Sequence, residues 1–176
     1  EKAREDVKNI IEEASNTNSP SGSDNQKIGD LYESYMDTIA LEKTGIRSIL
    51  PELEKIDEIN DYFDLSEYFA YADIYTTAPF GIYVYIDKKN PSEHITYLSQ
   101  SGLGLPNRGY YFDEDDKSKT IRKEYVIHIE KIFLLAKIEN AKKNADKVFQ
   151  LEMEIAKYHW KKEKNRDPEL TYNLIN

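Results

Sequence analysis

The sequence predicts a mainly α-helical protein with one small β-hairpin at about residues 80–100, and we expect residues 1–176 to form a single helical segment. Apolar residues recur every three to four positions along most of the chain, which is typical of amphipathic helices. Between residues 80 and 86 the period changes to two, which is typical of a strand. Residues 100–112 combine glycine and proline with large apolar side chains, and we expect the rest of the chain to be organised around this stretch.

The first half of the chain carries four predicted helices. Residues 1–15 place apolar side chains on one face, and a polar loop at 16–25 follows. A second helix is predicted over about residues 25–43, because helical spacing continues up to Gly45, a residue type that commonly ends helices. A third, shorter helix is predicted at about residues 51–59.

The fourth predicted helix begins at Asp64–Glu67, which has the form of a capping box. It must end before Pro79, because the residue that precedes a proline is biased away from the helical conformation. Its predicted inward side chains are Leu65, Tyr68, Phe69, Ala72 and Tyr75.

Two strands form the predicted hairpin. Residues 80–86 alternate strictly, residues 94–100 alternate more weakly, and the stretch 87–92 between them is rich in turn-forming residues. A two-stranded hairpin by itself is only marginally stable in water. We therefore expect this hairpin to pack against helices or against another part of a larger protein.

Residues 100–112, which we call the crossing, are predicted to be an ordered segment that bends and buries large side chains, and not a flexible spacer. Two glycines allow sharp turns, and a proline fixes the backbone after them. A solvated linker would not carry the large apolar side chains that lie between these residues. We predict that Leu103 and Leu105 are largely buried, and the alternative interpretation is an ordinary ordered loop.

Two longer helices are predicted to complete the chain, at about residues 117–137 and 140–164. Apolar residues on two sides of the last helix predict contacts on more than one side. The predicted buried stripe of the first helix is Ile121, Tyr125, Ile129, Ile132, Phe133 and Ala136. The last helix has one apolar line of Ala145, Val148, Leu151, Ile155 and Tyr158 and a second of Phe149, Met153, Ala156 and Trp160.

Composition excludes several classes of partner. A net charge of −9 disfavours a nucleic acid, because binding to its phosphates requires clustered lysine and arginine. The chain has no cysteine, which excludes disulfides and thiolate zinc sites. No apolar run approaches the roughly 20 residues of a membrane-spanning helix, so no such segment is expected.

The prediction of the cellular compartment rests only on features that the sequence lacks. The lack of cysteine and of a visible signal peptide favours the cytoplasm, while a cell-surface or secreted location remains open. The chain begins at Glu1 and not at Met, which is compatible with a missing upstream segment.

No self-contained active site is predicted. The histidines at positions 94, 128 and 159 are far apart, whereas helix-borne zinc chemistry needs two imidazoles one turn apart in a His-Glu-x-x-His motif. His159 and Glu163 would form an i, i+4 metal-binding face if they lay on one helix. The lysines around them would repel a cation, so we do not predict a metal site there.

The acidic run Asp113–Asp116 has two interpretations. Four carboxylates could bind calcium, but an EF-type loop needs alternating ligands and a central glycine, and both are absent. Negative charge at a helix N-terminus is favourable by itself, so the run is predicted to begin the next helix. We therefore predict no catalytic, cofactor-binding or metal-binding residue in this chain.

Four stretches occur in the order found in one known family. Residues Gln100–Tyr111 have the pattern Gln-x-Gly-Leu-Gly-Leu-Pro-x-Arg-x-Tyr-Tyr, which resembles a signature of the neprilysin-type zinc endopeptidases, including bacterial oligopeptidase O. Leu31–Asp37 resembles the family's early helix and Asp87–Asn90 its hairpin turn. Arg166–Asn173 resembles the element that follows a long helix. Animal members have a cysteine in the early helix where this chain has Tyr35, so the resemblance is closer to the bacterial branch.

The resemblance implies the front part of an incomplete, non-catalytic N-terminal domain in a larger two-domain peptidase. Such a helical domain encloses the active site and admits only oligopeptides. It further implies that zinc and the catalytic residues lie in a later catalytic domain, which would be this segment's partner within the same chain. The segment alone would then be inactive, with Arg108 and Arg166 as structural residues. The alternative is a stand-alone helical module that binds a protein or peptide.

Overall fold

The structure is a computed structural model that describes residues 2–74 and 76–175. It confirms a mainly α-helical chain with one two-stranded antiparallel hairpin. The chain divides into two compact units, Glu1–Asp57 and Glu58–Asn176. Within the described part of the chain, no helix combines the length and apolar character needed to cross a membrane.

In the first unit, helix α1 (Lys2–Asn16) packs against helix α2 (Asp24–Met36) at close range. Gly29 makes this approach possible, because a Cβ atom there would lie 2.7 Å from the carbonyl oxygen of Ala14. Both residues are buried. Ser23 begins α2, and its hydroxyl accepts a hydrogen bond from a backbone N–H of the first turn.

The single helix predicted over residues 25–43 is instead two helices, so that prediction is wrong. The break is at Asp37. At the end of α2, the N–H of Asp37 donates a hydrogen bond of 2.9 Å to the carbonyl oxygen of Glu33. The Asp37 carboxylate then accepts a hydrogen bond of 2.9 Å from the N–H of Ala40 and caps helix α3 (Thr38–Thr44). The apolar spacing continues across this aspartate, which hides the break. The predicted end of α3 is confirmed, since Gly45 adopts φ 53°.

The first unit ends with a 3₁₀ turn at Gly45–Ser48 and helix α4 at Leu50–Asp57. The third predicted helix, at about residues 51–59, is therefore confirmed within two residues at each end.

The second unit begins with helix α5 (Tyr62–Ala72), and its cap is not the predicted one. Asp61 is the N-cap, and its carboxylate accepts hydrogen bonds from the N–H groups of Phe63 and Asp64 at 2.8 and 2.9 Å. The carboxylate of Asp64 in turn accepts from the N–H of Asn60 at 2.9 Å. The predicted box therefore starts three residues too late. The predicted inward residues Leu65, Tyr68 and Phe69 are partly buried and Ala72 is buried, while Tyr75 lies outside the described residues.

The hairpin consists of β1 (Phe80–Ile86) and β2 (His94–Gln100), as predicted. Their register pairs the first residue of β1 with the last of β2. Asp87 organises the turn: its N–H donates to the carbonyl oxygen of Glu93, and its carboxylate accepts from the N–H of Lys89.

After the crossing, the chain forms a single helical turn, α6 (Gly109–Phe112), and two long helices, α7 (Asp116–Leu135) and α8 (Ala141–Tyr158). The long helices pack against each other, and α6 packs against α7. The carboxylate of Asp115 accepts a hydrogen bond from the N–H of Ser118 at 2.9 Å and caps α7. The acidic run thus begins a helix, as predicted.

Helix α8 ends earlier than predicted. Its last residue is Tyr158, and His159 already has an extended backbone with φ −68° and ψ 139°. The side chain of Gln100 takes the place of further helical hydrogen bonds. Its Oε1 accepts from the N–H of Trp160 at 2.7 Å, and its Nε2 donates to the carbonyl oxygen of Trp160 at 3.3 Å. Helical spacing alone does not reveal such a contact between residues 60 positions apart.

Some side chains predicted to be buried are exposed. On α8, Leu151 and Tyr158 are 62% and 86% exposed, although Ala145 of the same predicted line is buried. Phe149 and Met153 of the other line pack against the core of the second unit. On α7, Ile132 is 51% exposed. The other predicted α7 residues, Ile121, Tyr125, Ile129, Phe133 and Ala136, are partly buried, and the buried residues of α8 are Ala141, Ala145 and Ala156.

Candidate functional site

The crossing at residues 100–112 lies at the centre of the second unit. Leu105 and Tyr111 of the crossing form a buried cluster with Ala156 of α8, and their exposures are 8%, 2% and 0%. The prediction that Leu105 is buried is confirmed, whereas Leu103 is only partly buried. The partly buried residues around this core are Leu103, Tyr110, Phe112, Ile121, Tyr125, Phe149 and Met153.

One carboxylate ties the crossing to both long helices. Glu152 on α8 accepts a hydrogen bond of 2.7 Å from the hydroxyl of Tyr111 and another of 2.9 Å from the hydroxyl of Tyr125 on α7. The Tyr111 oxygen also accepts from the N–H of Leu105 at 3.0 Å. Burial, and then the hydrogen bond to Glu152, raise the pKa of both tyrosines far above its usual value. Both hydroxyls therefore remain protonated donors even at a pH where an ordinary tyrosine ionises.

Gly102 and Gly104 of the crossing are required for different reasons. Gly102 has a φ of +83°, and a Cβ there would lie 2.7 Å from the Cα of Pro79. A Cβ at Gly104 would overlap the hydroxyl of Tyr125. The first glycine permits a backbone conformation that other residues rarely adopt, and the second makes room for the tyrosine–carboxylate network.

A cleft of about 580 Å³ lies beside the crossing. His159 lines it, and the Nε2 atom of this ring is buried and has no hydrogen-bond partner among residues 2–74 and 76–175. Burial lowers the pKa of His159, while a hydrogen bond to the backbone of Ser101 acts in the opposite direction. Lys162 and Arg166 also line the cleft, and none of the described residues that line it is acidic.

The residues considered as metal ligands are not brought together. Because α8 ends at Tyr158, His159 and Glu163 do not share a helical turn. His94 lies at the start of β2 and His128 on α7, and both are exposed. Over residues 2–74 and 76–175, no group of three or more histidine, aspartate or glutamate residues could hold a metal ion. These residues do not fit a zinc site.

Of the two motif arginines, Arg108 packs on an aromatic ring and Arg166 is exposed. The guanidinium carbon of Arg108 lies 4.7 Å from the ring centre of Phe112, and Arg166 is part of a 3₁₀ turn. Arg122 was not predicted to have a role, yet its Nη1 donates to the carbonyl oxygens of Tyr110 and Asp113 at 2.9 Å each. It fastens the turn of α6 to α7. An arginine on a charged helix gives no sequence signal of that contact.

The segment at residues 166–173 lies against the hairpin turn, so two of the motifs meet. The Tyr172 hydroxyl donates to the carboxylate of Asp87 at 3.2 Å. The Lys89 ammonium lies 4.4 Å from the Tyr172 ring centre and 3.5 Å from the carboxylate of Glu169. The N–H of Lys89, more than the Tyr172 hydroxyl, lowers the pKa of Asp87.

The comparisons with known proteins agree with one another. A family model described as peptidase family M13 matches residues 1–176. The chain is 24% identical to endothelin-converting enzyme 1 of Rattus norvegicus over 178 residues, which cover 96% of this chain and 23% of that protein. It is 31% identical to endothelin-converting enzyme 1 of Homo sapiens over 104 residues, which cover 57% of this chain and 14% of that protein.

A solved structure extends the likeness to the fold. The zinc metalloprotease Zmp1 of Mycobacterium tuberculosis, in complex with an inhibitor, superimposes with a TM-score of 0.82 and 32% identity. The match covers 98% of this chain and 26% of that chain. The cryo-EM structure of the same protease in an open state gives a TM-score of 0.80.

Fold and comparisons define the class as the N-terminal region of a neprilysin-type metallopeptidase, which confirms the resemblance seen in the sequence. This chain spans about a quarter of the length of the rat enzyme and of Zmp1. The chain belongs to peptidase family M13.

Proposed function

We propose that this chain is the front part of the helical domain of a zinc endopeptidase, where it encloses the active site and restricts substrates to oligopeptides. The observation that carries the proposal is the family match over residues 1–176. In addition, about three quarters of the length of Zmp1 has no counterpart in this chain. In this proposal residues 1–176 belong to one N-terminal domain of a two-domain, bacterial-type peptidase.

The chemistry is assigned to the rest of the parent protein. The sequence has no His-Glu-x-x-His motif, and the described residues form no cluster of metal ligands. We therefore propose that zinc and the catalytic groups come from a later catalytic domain, which is this segment's partner within the same polypeptide. The contribution of the segment is a rigid wall, built on the hydrogen-bond network of Tyr111, Tyr125 and Glu152.

The test compares the full-length parent with this 176-residue chain. The parent should bind zinc and cleave short fluorogenic peptides, and its kcat/KM should fall steeply as the peptide is lengthened. The chain alone should show neither property. A parent without zinc would overturn the peptidase assignment. A parent that cleaves long unfolded chains as fast as short peptides would overturn the enclosing role.

A second candidate, a helical interaction module, is favoured by one observation. Helices α2 and α3 carry apolar side chains that are largely exposed, including Tyr35 at 75% and Ile39 at 82%. Such surfaces mark binding sites or contacts within a larger protein. The coding sequence after Asn176 separates the two candidates, because only a peptidase requires a downstream His-Glu-x-x-His motif.

A further inference from the structure

One face of the hairpin is aliphatic and uncovered. Residues directly opposite each other in an antiparallel pair share a face, and the register places Ile82 against Leu98 and Val84 against Thr96. Ile82, Val84 and Leu98 are 51%, 65% and 65% exposed. We call these three residues and Thr96 the aliphatic face.

A groove continues this face. It has a volume of about 440 Å³, and its lining includes Ile82 and Leu98 on the hairpin and Leu174 and Ile175 on the last described residues. Leu174 and Ile175 are themselves 64% and 80% exposed. The groove also contains Thr171, Tyr172 and Asn173, so it borders the aliphatic face with a lining of apolar and polar residues.

The opposite face of the hairpin differs in chemistry. Tyr83 and Tyr97 stack there, with ring centres 5.3 Å apart and nearly parallel planes. The Tyr97 hydroxyl donates to the carbonyl oxygen of Ile86 at 3.0 Å, and the Lys88 ammonium lies 5.8 Å from the Tyr97 ring centre. Tyrosine has a polar end that tolerates water, so this face has less to gain from a covering element than the aliphatic one.

We propose that the aliphatic face and its groove dock an apolar face of the part of the parent peptidase that lies outside this chain. This inference rests on the proposed function. About three quarters of Zmp1 has no counterpart here and is available as the covering element. Neither strand contains a charged aspartate, glutamate, lysine or arginine, so the surface fits an apolar element and not a charged one.

A second copy of this chain is a poorer occupant. Each copy carries a net charge of −9, and two such copies repel each other. A two-stranded hairpin is also marginal by itself, so cover from the same polypeptide, at high effective concentration, stabilises it best.

Side-chain footprinting provides the test, because it needs no substitution. The 176-residue chain and the full-length parent are labelled by carbene or hydroxyl radical at a concentration where sedimentation shows a monomer. Labelling of Ile82, Val84 and Leu98 should fall several-fold in the parent. Labelling of Tyr62, which is 90% exposed at the start of α5, serves as an internal reference.

Two neighbouring substitutions give a matched comparison. Val84 and Tyr85 are 65% and 61% exposed and point to opposite faces of the same strand. Val84→Lys should lower the melting temperature of the parent much more than Tyr85→Lys. In the 176-residue chain the two substitutions should have similar, small effects.

Each outcome decides the matter. Full labelling of the aliphatic face in the monomeric parent overturns the proposal. Protection that appears only with dimer formation overturns it in favour of a second copy, and protection that appears only with added peptide overturns it in favour of substrate. Protection in a parent that lacks zinc would leave the docking surface intact and refute the proposed function alone.

Discussion

The hydroxyl of Tyr111 donates a 2.7 Å hydrogen bond to the carboxylate of Glu152, 41 residues later in the chain. The same tyrosine oxygen accepts from the N–H of Leu105. One buried side chain thus joins the crossing to the last helix, and this relationship gives the first prediction.

Tyr111→Phe should destabilise the chain by about 1–3 kcal/mol, because it leaves the N–H of Leu105 without a partner in the core. Tyr125→Phe is the matched control, since within the described part of the chain its hydroxyl bonds Glu152 and no backbone group. Urea titrations of the three proteins give the comparison. Equal losses for the two variants would show that the contact with Leu105 contributes nothing.

The sequence predicted the mainly helical fold, the hairpin and the importance of the crossing, because these depend on local periodicity and turn chemistry. It did not predict the tyrosine–carboxylate network, since Glu152 looks like any other charged residue on a helix. The early end of α8 was missed for a similar reason. It depends on the Gln100 side chain, which comes from the hairpin.

Leu105→Ala should cost about 2–5 kcal/mol of unfolding free energy, as for other buried leucines. Leu151→Ala on α8 removes the same atoms from a side chain that is 62% exposed, and it should cost less than about 0.5 kcal/mol. Denaturant titration of both variants measures the difference. A cost for Leu105→Ala as small as that for Leu151→Ala would show that the crossing is not part of the core.

Gly102→Ala should be much more destabilising than Gly22→Ala. Both glycines have a φ of +83°, so both substitutions carry the same backbone strain of about 1 kcal/mol. The surroundings differ, because a Cβ at Gly22 meets no atom of the described residues within 4 Å, whereas at Gly102 it lies 2.7 Å from the Cα of Pro79. The excess loss for Gly102→Ala, read from thermal melts, measures the clash. Equal losses would mean that the crossing shifts to admit the methyl group.

Stability should fall as the pH is lowered through about 6.5, because burial lowers the pKa of His159. The unfolded chain then binds a proton that the folded chain does not, so the unfolding free energy is highest above this range. Lys162 and Arg166 line the same cleft and would repel a charged ring. His159→Gln should flatten the profile between about pH 7 and 5, whereas His128→Gln, at an exposed position of α7, should retain the loss.

The two carboxyl groups whose pKa is lowered, Asp87 and Asp115, titrate outside this pH range. Hydrogen bonds from the N–H of Lys89 lower the pKa of Asp87, and those from Ser118 lower the pKa of Asp115, so both groups lose their favourable ionised form only below their ordinary value of 3.8. Urea titrations at half-unit steps of pH provide the measurement. A profile of His159→Gln that still falls between pH 7 and 5 as steeply as the unsubstituted chain would contradict the assignment of this loss to His159.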